Sequence, residues 1–196
     1  MDIAYDGTQF FGWALQPGLR TVQGVLEDAL STVLRIPARL TVAGRTDAGV
    51  HASGQVAHLD VPTDVWCEHQ QRLIHKLARV LPADLRVPCA AAVPVEFDAR
   101  FGALWRRYEY RVCDRDSGPD PLRRRQVLAW PRPLECVAMA KAAEALLGLH
   151  DFAAFCKARE HGTTIRTLQA LDVVRDGAEI VFGVRADAFC HSMVRA

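Results

Sequence analysis

The chain has 196 residues, of which 50% are hydrophobic and 24% are charged, and its formal net charge is +1. This composition predicts a soluble protein with a folded hydrophobic core. No segment of low complexity is present. It excludes a membrane-spanning protein, because no apolar run is long enough to cross a bilayer, and the N-terminus shows no basic stretch followed by an apolar block that would mark a signal peptide.

The first half of the chain is predicted to alternate short strands with two amphipathic helices. A helix is expected from Thr21 to Arg35, because apolar residues recur there at helical spacing, Thr21 is a suitable N-cap and Pro37 stops the helix. A second helix is expected over residues 66–80. Strands are expected at residues 2–5, 39–43, 55–60 and 85–93, the first of them closed by the turn Asp6-Gly7.

The second half is predicted to continue the alternation. A strand is expected over residues 105–112, with Tyr108 and Tyr110 on one face, followed by a loop over 117–125. A third helix is expected over 134–147, and Asp176-Gly177 is predicted to join two strands as a hairpin. This pattern favours two α/β lobes, residues 1–100 and 101–196, around a joint cleft.

The loop between the second and third predicted strands is the strongest candidate for a functional site. Gly44 and Gly49 allow tight turns and close approach of a ligand, and Arg45, Thr46 and Asp47 lie between them. Catalytic groups are often held on loops between rigid strands. The same residues are also ordinary turn formers, and an Arg45–Asp47 surface ion pair would explain them without any function.

The wider segment resembles a known family. Gly-Arg-Thr-Asp-Ala-Gly-Val-His-Ala at 44–52, followed by Gly-Gln-Val-Ala-His at 54–58, is similar to the signature of the tRNA pseudouridine synthase A family, which acts on the anticodon stem-loop at positions 38, 39 and 40 of the RNA. Further matching segments follow in the family's order over nearly the whole chain. They are residues 5–7, 11–13, 21–23, 97–101, 106–110, 148–152 and 189–195.

The resemblance implies roles for four residues. Asp47 matches the catalytic aspartate, and Arg45 matches the arginine that fills the space of a flipped-out nucleotide. Tyr108 matches the tyrosine that stacks on the uracil and helps to remove its C5 proton, although a half-buried strand tyrosine explains it equally well. Arg195 matches the basic partner that keeps the aspartate ionised. Whether the carboxylate attacks the sugar, attacks uracil C6 or assists a glycal stays open.

The resemblance also implies the fold and the partners. We expect the α/β (α+β) pseudouridine synthase fold, with two lobes of antiparallel sheet, helices on the outer face and a basic cleft between the lobes. We expect a cytoplasmic isomerase that acts on tRNA as a homodimer without cofactor or metal. Family members usually continue beyond the motif that ends at Arg195, so the second lobe is expected to be truncated. A truncated, inactive tRNA-binding module is therefore the alternative.

Cysteine and arginine usage leave two further expectations. Six cysteines are scattered without a CxxC pair, which favours reduced thiols over a disulfide framework or a zinc site. The seven histidines show no metal-ligand spacing. The clusters Arg106-Arg107 and Arg123-Arg124-Arg125 could hold phosphates or could simply form solvated faces.

Overall fold

The computed structural model describes residues 1–157 and 162–196, which form two compact units, Met1–Ala103 and Leu104–Ala196. Each unit contains its own sheet. In the part of the chain so described, no helix is long and apolar enough to cross a membrane.

The first unit is built on a four-stranded antiparallel sheet in the order β2-β3-β1-β4. The strands are β1 (Asp2–Tyr5), β2 (Thr41–Val42), β3 (Ala52–His58) and β4 (Leu85–Cys89). The strand β1 is central, and it buries Ile3 and Tyr5 on one face. All four predicted strands of this half are present, but β2 and β4 are shorter than predicted and β3 begins three residues earlier, at Ala52 rather than Gln55.

The first helix, α1 (Val22–Leu34), confirms the prediction from periodicity and capping. The Thr21 hydroxyl accepts a hydrogen bond from the Gly24 amide at 3.2 Å, which satisfies one of the unpaired amides of the first turn. Arg35 ends the helix in the left-handed conformation with φ of 58°, so termination precedes Pro37. Its apolar face packs into the core through side chains that include Leu26 and Leu30.

The prediction of one helix over residues 66–80 is wrong, because the structure has two shorter helices there. These are α2 (Thr63–His69) and α3 (Leu73–Val80). Between them the Arg72 amide bonds the His69 carbonyl at 3.0 Å, and Arg72 has non-helical torsion angles. His69, the last residue of α2, is buried, and α3 packs Leu73 and Leu77 into the core. The apolar periodicity of residues 66–80 does not indicate that the helix is interrupted between them.

A buried carboxylate joins α1 to the approach of β2. Glu27 is 5% exposed and accepts hydrogen bonds from the Leu40 amide at 2.9 Å and the Gln23 side chain at 2.8 Å. Arg39 adds an ion pair at 3.2 Å. These partners satisfy the buried carboxylate, as a buried polar group requires. Since two of them, Arg39 and Leu40, directly precede β2, Glu27 fixes the position of the chain where it enters that strand.

A bidentate ion pair closes the opposite edge of this unit. Both guanidinium nitrogens of Arg20 donate to Asp84 at 2.8 Å, and the Arg20 guanidinium lies 4.0 Å from the Phe10 ring centroid. The hydrogen bond from Arg20 lowers the pKa of Asp84 below its usual value. The pair therefore stabilises the folded state when Asp84 is ionised, and this contribution is lost as the pH falls through the lowered pKa.

We expect Asp84→Asn to lower the free energy of unfolding by about 1 kcal/mol at pH 7, a modest value because both side chains are partly solvated. The difference from the wild type should shrink as the pH falls below about 4, where the unfolded chain begins to take up the proton, and should vanish only below the lowered pKa of the folded state. Urea unfolding at pH 7 and pH 3 measures this, with the exposed Asp60→Asn as the control. An equal difference at both pH values would show that the charge is irrelevant.

The second unit is built on a five-stranded mixed sheet in the order β6-β5-β9-β8-β7. Its elements are β5 (Arg106–Cys113), β6 (Leu128–Ala129), α4 (Cys136–Glu144), β7 (Gly148–Asp151), β8 (Ile165–Asp176) and β9 (Glu179–Ala186). The predicted β8–β9 hairpin is confirmed, with Gly177 at φ of 59° in its turn. The β5–β6 pair is parallel, which departs from the purely antiparallel sheet that was expected.

Three elements of the second unit differ from the prediction. The helix α4 starts two residues later and ends three residues earlier than the predicted 134–147, and the Leu134 amide before it donates to Asp114 at 2.9 Å. The strands β6 and β7 were not predicted. They have only two and four residues, so neither offers a pattern of alternation that sequence reasoning can detect.

The predicted loop over 117–125 is anchored by an ion pair. Glu179 is 5% exposed, and it pairs with Arg123 at 2.8 Å and with Arg111 at 3.1 Å. Arg123 therefore holds the loop against the sheet. At least one member of the second arginine cluster thus has a structural role, whatever the cluster contacts in solution.

The expectation that all six thiols are reduced is wrong for one pair. The structure joins Cys156 and Cys190 in a disulfide whose Cα atoms lie 5.7 Å apart, within the usual range. The two residues are 34 positions apart, and only the folding of the second unit brings them together. The four free cysteines are Cys67, Cys89, Cys113 and Cys136.

Candidate active site

The loop that joins β2 to β3, residues 43–51, carries the first two predicted site residues. Arg45 is exposed, Thr46 is buried and Asp47 is half-buried. The loop starts where the Ala43 amide bonds the Val56 carbonyl at 2.9 Å. It then turns where the Val50 amide bonds the Asp47 carbonyl at 3.2 Å, with Gly49 at φ of 78° as a type II turn requires. The carboxylate of Asp47 thus projects from a tight turn.

A neighbouring segment, residues 7–13, packs against this loop and is hydrogen-bonded to it, and we call this segment the cradle. The Trp13 amide bonds the Thr46 carbonyl at 3.0 Å, and the Gly49 amide bonds the Phe10 carbonyl at 3.2 Å. The two backbones approach so closely that a Cβ at Gly12 would lie 2.9 Å from the Thr46 carbonyl oxygen. Only a glycine allows this contact, especially since Gly12 has φ of 88°.

The far end of the loop contacts the start of the cradle. The Gly7 amide donates to Nδ1 of His51 at 3.2 Å, and the same nitrogen lies 3.1 Å from a carboxylate oxygen of Asp6. A Cβ at Gly7 would lie 2.0 Å from the Val50 carbonyl oxygen. The loop is therefore held at both ends by backbone contacts that leave no room for side chains.

A buried polar network lies beneath the loop. The Tyr5 hydroxyl and the Thr46 hydroxyl are 2.8 Å apart and hydrogen-bonded. The Gln55 side-chain amide donates to the Gly44 carbonyl at 2.7 Å and to the Tyr5 hydroxyl at 3.5 Å. Burial raises the pKa of Tyr5, so its phenol stays neutral at physiological pH.

Tyr108 lies in β5 of the second unit, opposite Val184 of β9. It is half-buried, and its ring meets the Phe189 ring edge-on, with centroids 5.0 Å apart. The prediction that Tyr108 and Tyr110 share a face is confirmed, because both are half-buried while Arg107 and Glu109 between them are exposed. The edge-on contact with Phe189 helps to fix the orientation of the ring.

Arg195 is exposed near the end of a folded segment of the second unit. Its amide bonds the Ser192 carbonyl at 2.9 Å, and Ser192 has φ of 70°. Asp187 anchors the start of this segment, because its carboxylate accepts from the Thr167 amide at 3.0 Å and its carbonyl accepts from the Arg106 guanidinium at 2.7 Å. Arg106 is thus engaged with the protein's own backbone.

The structure brings Arg45 and Asp47 together in one loop of the first unit, whereas Tyr108 and Arg195 belong to the second unit. The pairing of Arg195 with Asp47 therefore stays a prediction. Sequence reasoning missed the supporting network of Tyr5, Thr46 and Gln55. All three residues fall within segments that resemble the family, but the Tyr5–Thr46 bond spans 41 positions and no local spacing indicates it.

The described residues contain no group of three or more histidine, cysteine, aspartate or glutamate side chains placed to hold a metal ion. The polar groups of the loop are the Asp47 carboxylate, the Arg45 guanidinium, the Thr46 hydroxyl, the His51 imidazole and backbone amides. Such a set suits acid–base or nucleophilic chemistry on an organic substrate.

Comparison with known proteins identifies relatives of this chain. A family model described as tRNA pseudouridine synthase matches residues 2–102 and 142–196. A tRNA pseudouridine synthase A from Streptomyces griseus is 59% identical over 200 residues, which cover 100% of this chain and 70% of the relative. Those of Frankia casuarinae and Mycobacterium leprae are 59% and 50% identical, again over the whole chain, with 71% and 72% of the relatives covered.

The chain therefore belongs to the tRNA pseudouridine synthase family, and its enzyme class is that of an isomerase. The resemblance and the pseudouridine synthase fold inferred from the sequence are confirmed.

Proposed function

We propose that this protein isomerises uridine to pseudouridine in the anticodon stem-loop of tRNA, at positions 38, 39 and 40, with Asp47 as the essential carboxylate. The observation that carries the proposal is the placement of Asp47 on a half-buried turn held by the cradle, in a chain of this family. The first lobe, residues 1–100, supplies this loop, and the second, residues 101–196, supplies Tyr108 and Arg195.

The reaction moves one bond and needs no redox change. The bond between ribose C1′ and uracil N1 breaks, the base turns, and C1′ joins C5. The proton on C5 leaves and N1 gains a proton, so atoms and charge balance. Asp47 acts beside the glycosidic bond, either by attacking the sugar or uracil C6, or by assisting a glycal. Neither a cofactor nor a metal takes part in the proposal.

Arg45 and Arg195 serve this chemistry through their charge and shape. A nucleotide paired in a stem must leave the stack before its glycosidic bond is accessible. Arg45 is exposed two residues before Asp47, and its planar guanidinium can replace a base in the stack. For Arg195 we propose the role that the resemblance implies, a positive charge that serves as the basic partner of the catalytic aspartate.

We expect Tyr108→Phe to keep tRNA affinity within about twofold and to lower turnover by about 10- to 100-fold, because the ring still stacks but the hydroxyl no longer helps to remove the C5 proton. Tyr110→Phe, on the same face of β5, is the matched control. Single-turnover rates and filter binding give the two quantities. Unchanged turnover would remove the hydroxyl from the mechanism and leave Tyr108 as a stacking residue only.

Tritium release from tRNA labelled at uridine C5 tests the proposed function, because formation of the C1′–C5 bond expels that hydrogen and binding alone does not. We expect release that depends on enzyme concentration and reaches the number of target uridines. Tight tRNA binding without release would refute the isomerase in favour of a binding module. Substrates with uridine at a single one of positions 38, 39 and 40 test the site preference.

The proposal extends to assembly and location. The family resemblance supports a homodimer acting in the cytoplasm, with the tRNA as its partner. Sedimentation velocity with and without tRNA measures the assembly. A monomer in both conditions would remove the homodimer from the proposal and leave the reaction unaffected.

A further inference from the structure

We propose that Tyr5, acting through the Thr46 hydroxyl, is a positioning residue for Asp47. A buried pair of hydroxyl groups would thus set the direction in which the catalytic carboxylate points. The proposal rests on the proposed role of Asp47.

Thr46 is the residue through which the direction of Asp47 is fixed. It precedes Asp47 directly, so its conformation orients the peptide from which the carboxylate projects. Its carbonyl accepts from the Trp13 amide at 3.0 Å, and its hydroxyl is bonded to Tyr5 at 2.8 Å. Gly12 packs so closely against the same carbonyl that a Cβ added to it would lie 2.9 Å from the carbonyl oxygen. Backbone and side chain of Thr46 are therefore both held.

Tyr5 is rigid enough to act as the anchor. It is 5% exposed, and it ends the central strand β1, paired with Ala52 on one side and Leu85 on the other. Its ring packs against Phe10 and Trp13, with centroids 6.3 and 6.2 Å away. The core therefore fixes the Tyr5 hydroxyl, and the hydrogen bond to Thr46 ties the loop to the sheet.

Gln55 links the hydroxyl pair to the start of the loop. Its side-chain amide lies 3.5 Å from the Tyr5 oxygen and can only donate to it, and the same amide donates to the Gly44 carbonyl at 2.7 Å. The Tyr5 oxygen therefore accepts from Gln55, while either hydroxyl of the Tyr5–Thr46 pair can donate to the other. These hydrogen bonds connect Gln55 of β3 and Tyr5 of β1 to Gly44 and Thr46, the two residues that flank Arg45.

A structural bond and a positioning bond have different kinetic consequences. If Tyr5 only stabilised the core, its hydroxyl would change the melting temperature and leave the rate per folded molecule unchanged. If it positions Asp47, kcat falls while KM and tRNA affinity hold, because misplacement of a reacting group weakens the transition state rather than binding.

The experiment compares Tyr5→Phe, Thr46→Val and the double variant in tritium release, with Thr46→Ser as the conservative rescue and Tyr110→Phe as the control. We expect each single variant to lower kcat about tenfold, with KM within about twofold. The double variant should be no slower than either single one, because both changes remove the same bond. Thr46→Ser should keep kcat within about twofold of the wild type.

Loop order is measured independently by amide hydrogen exchange. In Tyr5→Phe we expect the Trp13, Gly49 and Val50 amides, whose bonds hold the loop, to exchange about fivefold faster, as the loss of one net hydrogen bond implies. Amides of α1 should not change. This readout needs no activity, so it shows whether the Tyr5 hydroxyl orders the loop even if the wild type released no tritium, and it separates a failure of the positioning contact from a failure of the proposed function.

Three results would overturn the positioning role. One is unchanged exchange at these amides in Tyr5→Phe. Another is a double variant whose loss of kcat equals the product of the single losses, which would mean that the two hydroxyls act separately. The third is a Thr46→Ser variant as slow as Thr46→Val, since the hydroxyl would then be immaterial.

Discussion

Asp47→Asn is expected to reduce tritium release by at least about a thousandfold, which corresponds to about 4 kcal/mol of lost transition-state stabilisation. The substitution keeps the shape of the side chain and removes its charge and its ability to attack or to accept a proton. The Val50 amide bonds the backbone carbonyl of Asp47, so this turn bond should persist in the variant. Binding of tRNA should therefore stay within about threefold of the wild type.

The matched control is Asp28→Asn, an exposed aspartate on α1 that loses the same charge. It should release tritium at the wild-type rate. If Asp47→Asn released tritium normally, the carboxylate would have no part in the chemistry. If the variant lost tRNA binding together with turnover, Asp47 would have a structural or tRNA-binding role, and its assignment as the catalytic residue would be wrong.

Gly7→Ala is expected to have the largest effect on stability, about 3 kcal/mol of unfolding free energy, with turnover falling in parallel. The new Cβ would lie 2.0 Å from the Val50 carbonyl oxygen and 2.5 Å from its carbon. Both neighbours are backbone, so no side-chain rotation relieves the overlap, and the strain must displace the cradle from the loop. Urea unfolding and single-turnover rates measure the two effects.

Gly54→Ala serves as the control, because a Cβ there would meet nothing within 4 Å, and Gly54 also lies beside the same loop in β3. It should change the free energy of unfolding by less than about 0.5 kcal/mol. If Gly7→Ala were as stable and active as Gly54→Ala, the close approach of residues 7 and 50 would be unimportant for the site.

The elements that sequence reasoning predicted well are those with local causes. The helix α1 has its own cap at Thr21 and a regular apolar face, and the β8–β9 hairpin has Gly177 in its turn. The failures have non-local causes. The break between α2 and α3 serves the burial of His69 against the rest of the unit, and β7 is a strand because it pairs with β8.

The site shows the same division. Family resemblance supplied Asp47, Arg45, Tyr108 and Arg195 as candidates, because the motifs around them are distinctive, and their roles stay predictions. The support for Asp47 could not be predicted, since Tyr5, Gly7 and Gly12 contact the loop only after β1 and β3 have paired. Residue spacing reports on neighbours within an element and carries no information about a contact across 41 positions.

The long reach of these contacts has a consequence for how the protein folds. The bonds that order the catalytic loop connect residues 5 and 46, 7 and 51, 10 and 49, and 13 and 46, so each closes a chain of more than 30 residues. Closing such chains costs entropy that is recovered only when the sheet assembles. Competence for catalysis should therefore arise late in refolding, after the fluorescence change of the buried Trp13 and not before it.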